Sequence, residues 1–180
     1  MSSSTTTSSR SMESRTGRTK QRYNANGERL VAGVVPLTED RRFVLLIQSD
    51  RRKGWVLPKG GWENDEDCQS AAQREAWEEA GIIVQIEYDL GDIVESRPPK
   101  APSKTKKREK ALYRFYEGTV ISEENDWPEK SKRDRCWMTF VDASEALKER
   151  PELLEALERS TIKRMVTTSR PALSGQASPS

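Results

Sequence analysis

The stretch from Gly60 to Ile82 constrains this chain more than any other part of it. Asp65 to Ala80 has acidic residues near its start, few β-branched residues and Gly81 just past its end, which predicts a helix. Gly60 and Gly61 predict a loop leading into it. Residues three and four apart share a helical face, so Glu75 stands beside both Glu78 and Glu79. Carboxylates that close repel one another, and the arrangement costs stability unless a cation lies among them. Oxygen-only donors favour Mg²⁺, or Mn²⁺ in its place, over zinc. Arg74, four residues before Glu78, can pair with it. Ala72, Ala76 and Ala80 make a second stripe whose small side chains let the helix pack close to a sheet. An acidic helix face by itself is ordinarily solvated surface; the spacing of the residues around this one sets it apart.

The rest of the chain reads as one domain between two tails. Residues 1–26 are rich in Ser, Thr and Arg and 168–180 in Ser and Pro, too polar to bury enough surface to fold, so both are expected to be disordered. Residues 27–167 carry the domain. Strands are predicted at Arg29–Leu37, Phe43–Ile47, Trp55–Leu57, Ile82–Tyr88, Gly91–Glu95, Ala111–Ile121 and Cys136–Val141. Asp142 or Ser144 can cap a short helix, and Pro151 suits the first turn of a final helix reaching Val166. Arg97 to Lys110 has no apolar periodicity and reads as a basic loop. Strands with interspersed helices predict an α/β domain, helices covering a mixed sheet. Trp55, Tyr113, Phe115 and Trp137 fall in strand patterns and are expected in the core.

Composition excludes several chemistries. With no histidine in 180 residues, a Ser-His-Asp triad, a His-ligated zinc and a His base are all out. Cys68 and Cys136 have no metal-binding spacing and are too few for a disulfide scaffold, which fits reduced thiols. No stretch approaches the roughly 20 apolar residues of a membrane span, and Ser2 to Thr7 stand where a signal peptide needs an apolar core. The expected location is cytoplasm or nucleus. A net charge of +2 argues against a basic nucleic-acid binder. Its distribution says more: acidic residues crowd 63–79 and basic ones 97–110, which suits a metal-assisted site for an anionic substrate.

Gly60, Glu66, Arg74, Glu75, Ala76, Glu78, Glu79, Gly81 and Ile82 occupy every fixed position of the Nudix box at its spacing. The chain therefore resembles the Nudix hydrolases. The resemblance implies an α/β/α sandwich with a mixed sheet and a loop-helix-loop catalytic motif that holds divalent cations. Trp55 to Gly61, Arg97-Pro98-Pro99-Lys100 and Arg150 to Leu157 further resemble the fungal diphosphoinositol polyphosphate phosphohydrolases, which also cleave diadenosine polyphosphates; related members cleave inorganic polyphosphate. By position, the resemblance implies Glu75, Glu79 and the Lys59 carbonyl as Mg²⁺ ligands and Glu78 as the catalytic base. Glu66 reads as a structural group or a metal-site neighbour. Arg29, Gln48, Ser49, Arg51, Arg52, Arg97, Lys100, Arg133 and Arg150 are the implied phosphate contacts. The lysines at 104, 106, 107 and 110 are read as loop solubility rather than substrate steering. The expected partner is a small polyphosphorylated molecule, not a nucleic acid or a membrane, and the expected state is a monomer.

Overall fold

The structure, a computed structural model, describes residues 10–96 and 110–165. Arg97, Lys100, the lysines at 104, 106 and 107, and the tail 168–180 lie outside the described residues. Seven strands form one sheet: β1 (Arg29–Leu37), β2 (Val44–Gln48), β3 (Trp55–Val56), β4 (Lys59–Gly61), β5 (Ile82–Val94), β6 (Ala111–Glu123) and β7 (Arg135–Met138). The order β3-β2-β1-β6-β5 forms its spine, with β4 pairing β1 and β7 pairing β2. Only β1 and β6 run parallel, from Arg29↔Ala111 to Leu37↔Thr119; the other pairings are antiparallel, so the sheet is mixed. A parallel pair cannot be closed by a tight turn. The chain between β1 and β6 accordingly crosses the sheet, carrying helix α1 (Cys68–Ala80) with it.

The helices lie on both faces. Tyr116 of β6 packs in a cluster with Ala32 of β1 and Ala71 and Ala72 of α1. Its neighbour Glu117 points the opposite way, as successive strand residues must. Glu117 accepts from the Thr161 amide at 2.5 Å and from the Thr161 hydroxyl at 2.8 Å, just past helix α3 (Pro151–Arg159). Thus α1 and α3 flank the sheet from opposite sides, with the short α2 (Phe140–Ala146) against β2 and β7. This is the α/β/α sandwich expected from the sequence. Leu153 and Leu157 of α3 are fully buried with Phe115, Leu45 and Ile47; each such leucine contributes about 1.5–3 kcal/mol of burial.

Several boundaries differ from the sequence reading. Lys59–Gly61 is not loop but strand β4, paired with Val31, Ala32 and Gly33. Helix α1 starts at Cys68 because the Asp67 side chain caps it, accepting from the Ser70 amide at 2.7 Å. Gly81 ends it at φ 65°, the left-handed conformation glycine supplies, with its amide donating to Trp77 O at 3.0 Å. The two strands expected after it are one bulged strand, β5, along β6. Thr139 caps α2, where Asp142 or Ser144 was expected. α3 stops at Arg159 rather than Val166: Ser160 is extended, and Glu117 accepts from Thr161 just beyond it. Residues 10–26, expected as tail, run along the domain: Gln21 is buried and bridges Glu63, and Tyr23 bridges Arg29.

Candidate active site

Helix α1 presents Glu75, Glu78 and Glu79 on one face, each less than a tenth exposed. Arg74 organises them. Its guanidinium donates to both oxygens of Glu66 (3.0 and 2.7 Å), to Glu75 (2.9 Å), to Glu78 (3.1 Å) and to the Gly61 carbonyl (3.0 Å). Burial alone would lower the Arg74 pKa, but Glu66, Glu75 and Glu78 more than offset it and hold the group above its ordinary value. Glu66 thereby acts as the anchor that fixes Arg74, and it does not line the cavity.

In two of the acids burial outweighs the counter-charge beside them, Arg74 at Glu75 and Arg133 at Glu79. Burial, and then the neighbouring Glu79, push Glu75 up to about 8. Burial pushes Glu79 up to about 7, against the attraction of Lys59 and Arg133. Burial also raises Glu78, with Arg74 opposing. Lys59 donates its amide to Glu79 Oε2 at 3.0 Å, and burial lowers the pKa of its ammonium despite the pull of Glu79. Gly60 makes room for this arrangement. A Cβ there would sit 2.2 Å from the Glu75 carboxylate, so the carboxylate rests against bare backbone.

The donor set suits a hard divalent cation. It consists of carboxylate oxygens whose burial and mutual repulsion favour any added positive charge. Among the described residues no three acidic or cysteine side chains are already gathered as metal ligands. Arg74, Arg133 and the Lys59 amide occupy the carboxylate oxygens instead.

The carboxylates form the floor of a cavity of about 560 Å³. Arg29, Ser49, Arg51, Arg52, Lys59, Arg133 and Arg150 line it, so most of the basic residues singled out from sequence converge on one space. They do not play equal parts. Arg133 is nearly buried and committed: it donates to Glu79 Oε1 and to the Gln48 carbonyl, both at 3.2 Å, and pairs with Glu129 and Asp50. Arg150 holds buried Glu152 at 2.8 Å, and Arg29 holds Gln21 at 2.9 Å. Arg51 and Arg52 are exposed at the rim. Gln48 does not line the cavity; its side chain accepts from the Asp134 amide at 3.1 Å and its carbonyl from Arg133. It holds the β7 approach in place instead of facing the cavity.

Sequence reasoning missed several lining residues. Tyr113 lies in the core as expected, 5% exposed, and it also borders the cavity, which the sequence did not indicate. Glu129 pairs with Arg133, and its amide donates to the Glu78 carbonyl. Ser14 to Arg18, from the segment read as tail, form one wall. No motif marked these residues; only the fold brings them here.

Comparison with known proteins agrees with this geometry. Residues 27–159 match the model of the NUDIX domain. Over 152 residues the chain is 37% identical to a protein named Nudix hydrolase 17, mitochondrial, from Arabidopsis thaliana, covering 77% of this chain and 76% of that one. It is 39% identical over 155 residues to Nudix hydrolase 21, chloroplastic, from the same plant, covering 82% and 74%. Among solved structures, a NUDIX hydrolase from Nitrosomonas europaea superposes with a TM-score of 0.60 at 19% identity, covering 73% of this chain and 87% of that chain, a likeness of fold.

Proposed function

Because the chain belongs to the Nudix family, a family of pyrophosphohydrolases, we propose that it cleaves phosphoanhydride bonds in diphosphoinositol polyphosphates, with diadenosine penta- and hexaphosphate and inorganic polyphosphate as further substrates. One observation carries this choice of substrate. Among the described residues, Arg18, Arg29, Arg51, Arg52 and Arg150 line the cavity in addition to Arg15, Lys59, Arg74 and Arg133, which stand against its acidic side chains, while Tyr113 is the sole aromatic and is almost fully buried. Such a wall attracts many phosphates and offers little face on which to stack a base.

In this reading Glu75, Glu79 and the Lys59 carbonyl hold Mg²⁺, with Mn²⁺ as its substitute. When bound, the cation polarises a phosphoryl oxygen. Glu78 takes the proton of the attacking water. Its oxygens already accept from Arg74 and from the Arg15 amide, but a carboxylate has about four acceptor sites, so about two remain, enough for a water. Arg29, Arg51, Arg52 and Arg150 balance the charge spread over the phosphates; Arg97 and Lys100 are further candidates by resemblance alone. Arg133 acts differently from a free phosphate contact: it neutralises Glu79 and keeps that carboxylate in place.

The test is substrate cleavage with Mg²⁺, followed by chromatographic separation of the products, for a diphosphoinositol polyphosphate, diadenosine hexaphosphate, a nucleoside-diphosphate sugar and polyphosphate. Metal-dependent turnover of the phosphate-rich compounds is expected, reduced about 10²- to 10⁴-fold in Glu78→Gln. Near wild-type turnover in that variant would remove Glu78 as the base. Preference for the sugar nucleotide would replace the substrate assignment with another Nudix pyrophosphatase activity.

A further inference from the structure

The arm formed by residues 11–18 lies before the 27–159 family match, yet it touches the catalytic face directly. The Arg15 amide donates to Glu78 Oε1 at 3.2 Å. The Arg15 guanidinium is clasped by Glu63 and, at 2.8 Å, by Asp65. From the residue immediately before Glu78, the Trp77 indole donates to the Ser11 carbonyl at 2.8 Å. The arm is therefore tied both to the loop before α1 and to α1 itself. It is also a partition. On one side is the catalytic cavity, and on the other is a second cavity of about 360 Å³ lined by Ser11, Glu13, Gln73 and Trp77. Arg15, Arg74 and Glu78 face both. On the same wall, the Ser14 hydroxyl is buried and makes no hydrogen bond.

We propose that this arm is a working part of the active site and that Arg15 is a positioning residue for Glu78; the proposal rests on the assignment of Glu78 as the proton acceptor. A glutamate carboxylate turns easily about its last bond, which has a broad torsional preference. Arg74 fixes one oxygen and the Arg15 amide fixes the other, so together they set the plane of the carboxylate. The Arg15 side chain holds that amide in place from the outside, through the Nη1 that Glu63 and Asp65 share. Loss of the clasp acts on the chemical step and leaves phosphate binding alone. Misplacement of a reacting group by about 1 Å costs on the order of a hundredfold in rate.

The experiment compares kcat and KM of the full chain, with Mg²⁺ and whichever polyphosphorylated compound is turned over best, for Arg15→Ala, Arg15→Lys, Asp65→Asn and Glu78→Gln. Arg15→Ala is expected to lower kcat about tenfold or more with KM within about twofold. Arg15→Lys, which keeps a cation for Glu63 and Asp65, should restore most of the loss, a rescue that lost packing would not show. A thermal unfolding midpoint near wild type certifies each variant. If Arg15→Ala fails to fold, Asp65→Asn releases half of the clasp from the exposed side, and a lowered kcat there carries the same meaning. A raised KM at constant kcat would make the arm a substrate contact and overturn the proposal. A raised kcat would make it inhibitory and overturn it equally. If Glu78→Gln is inactive while every clasp variant keeps wild-type kcat, the arm proposal alone falls. If Glu78→Gln remains active, the base assignment falls first.

Discussion

At the scale of single residues, the site is defined by how tightly Glu75 and Arg74 are surrounded. Gly60 shows this most directly. An alanine there meets no backbone strain, but its Cβ would stand 2.2 Å from the Glu75 carboxyl. That carboxyl is the far end of a flexible side chain, so it can swing away. Because that movement breaks the buried bond to Arg74, Gly60→Ala is expected to fold with a loss of about 1–3 kcal/mol, while Mg²⁺ affinity and turnover fall at least about tenfold. Calorimetric Mg²⁺ titration beside thermal unfolding checks it; unchanged metal affinity would mean Glu75 is not a ligand. Arg74 explains why box residues distant in sequence act as a unit. One guanidinium joins Glu66, Glu75, Glu78 and the Gly61 carbonyl, so a change at any of them is felt by the rest.

At the scale of elements, caps and captures set the lengths of the helices. Asp67 and Gly81 bound α1; Gly81 is visible in the sequence as a left-handed terminator, whereas the cap at Asp67 emerges only in the structure, two residues after the expected start at Asp65. α3 ends for a reason that its own sequence does not hold. The periodicity of Leu153, Leu154, Leu157 and Ile162 predicts a longer helix, but the chain turns extended at Ser160 and Glu117, buried in β6, holds Thr161. Glu117→Leu would leave the Thr161 amide and hydroxyl without their acceptor. A loss of about 1–3 kcal/mol in chemical denaturation is expected, with kcat preserved because the pair lies across the sheet from α1. A neutral effect on stability would show that the capture is incidental.

At the scale of the whole molecule, the domain concentrates opposed charges around one cavity, and this makes folding depend on pH and metal. Glu75 and Glu79, at about 8 and about 7, lie above the ordinary carboxylate value of 4.5. The folded state thus binds more protons than the unfolded chain between those values. Stability contributed by the protonated pair is complete below the unfolded value and is lost as pH rises through the folded values. The metal-free protein is expected to lose thermal stability between about pH 5 and about pH 8, and Mg²⁺ to restore most at the upper end, where proton competition has gone. Unfolding scans with EDTA or Mg²⁺ across that range decide it. A Mg²⁺ shift as large at the lower end as at the upper would mean the metal does not compete with these protons.

What the sequence determined by itself was everything carried by local spacing. The helix face of Glu75, Glu78 and Glu79, its Arg74 partner, the glycine that ends it and β1 from Arg29 to Leu37 follow from period and composition, because helices and strands repeat over a few residues. The convergence of Arg29, Arg133 and Arg150 was legible only through resemblance to a family, since residues a hundred positions apart share no local signal. Tertiary structure alone decided the rest. It drew Lys59–Gly61 into the sheet, because unpaired backbone beside β1 gains hydrogen bonds as a strand. It assigned Arg133 to Glu79, because a buried carboxylate needs a counter-charge. It also set Ser11 to Arg18 against α1, although their composition predicts disorder: the domain supplies carboxylates and an indole that hold the arm by its backbone and by Arg15, and nothing in the arm's own residues announces those partners.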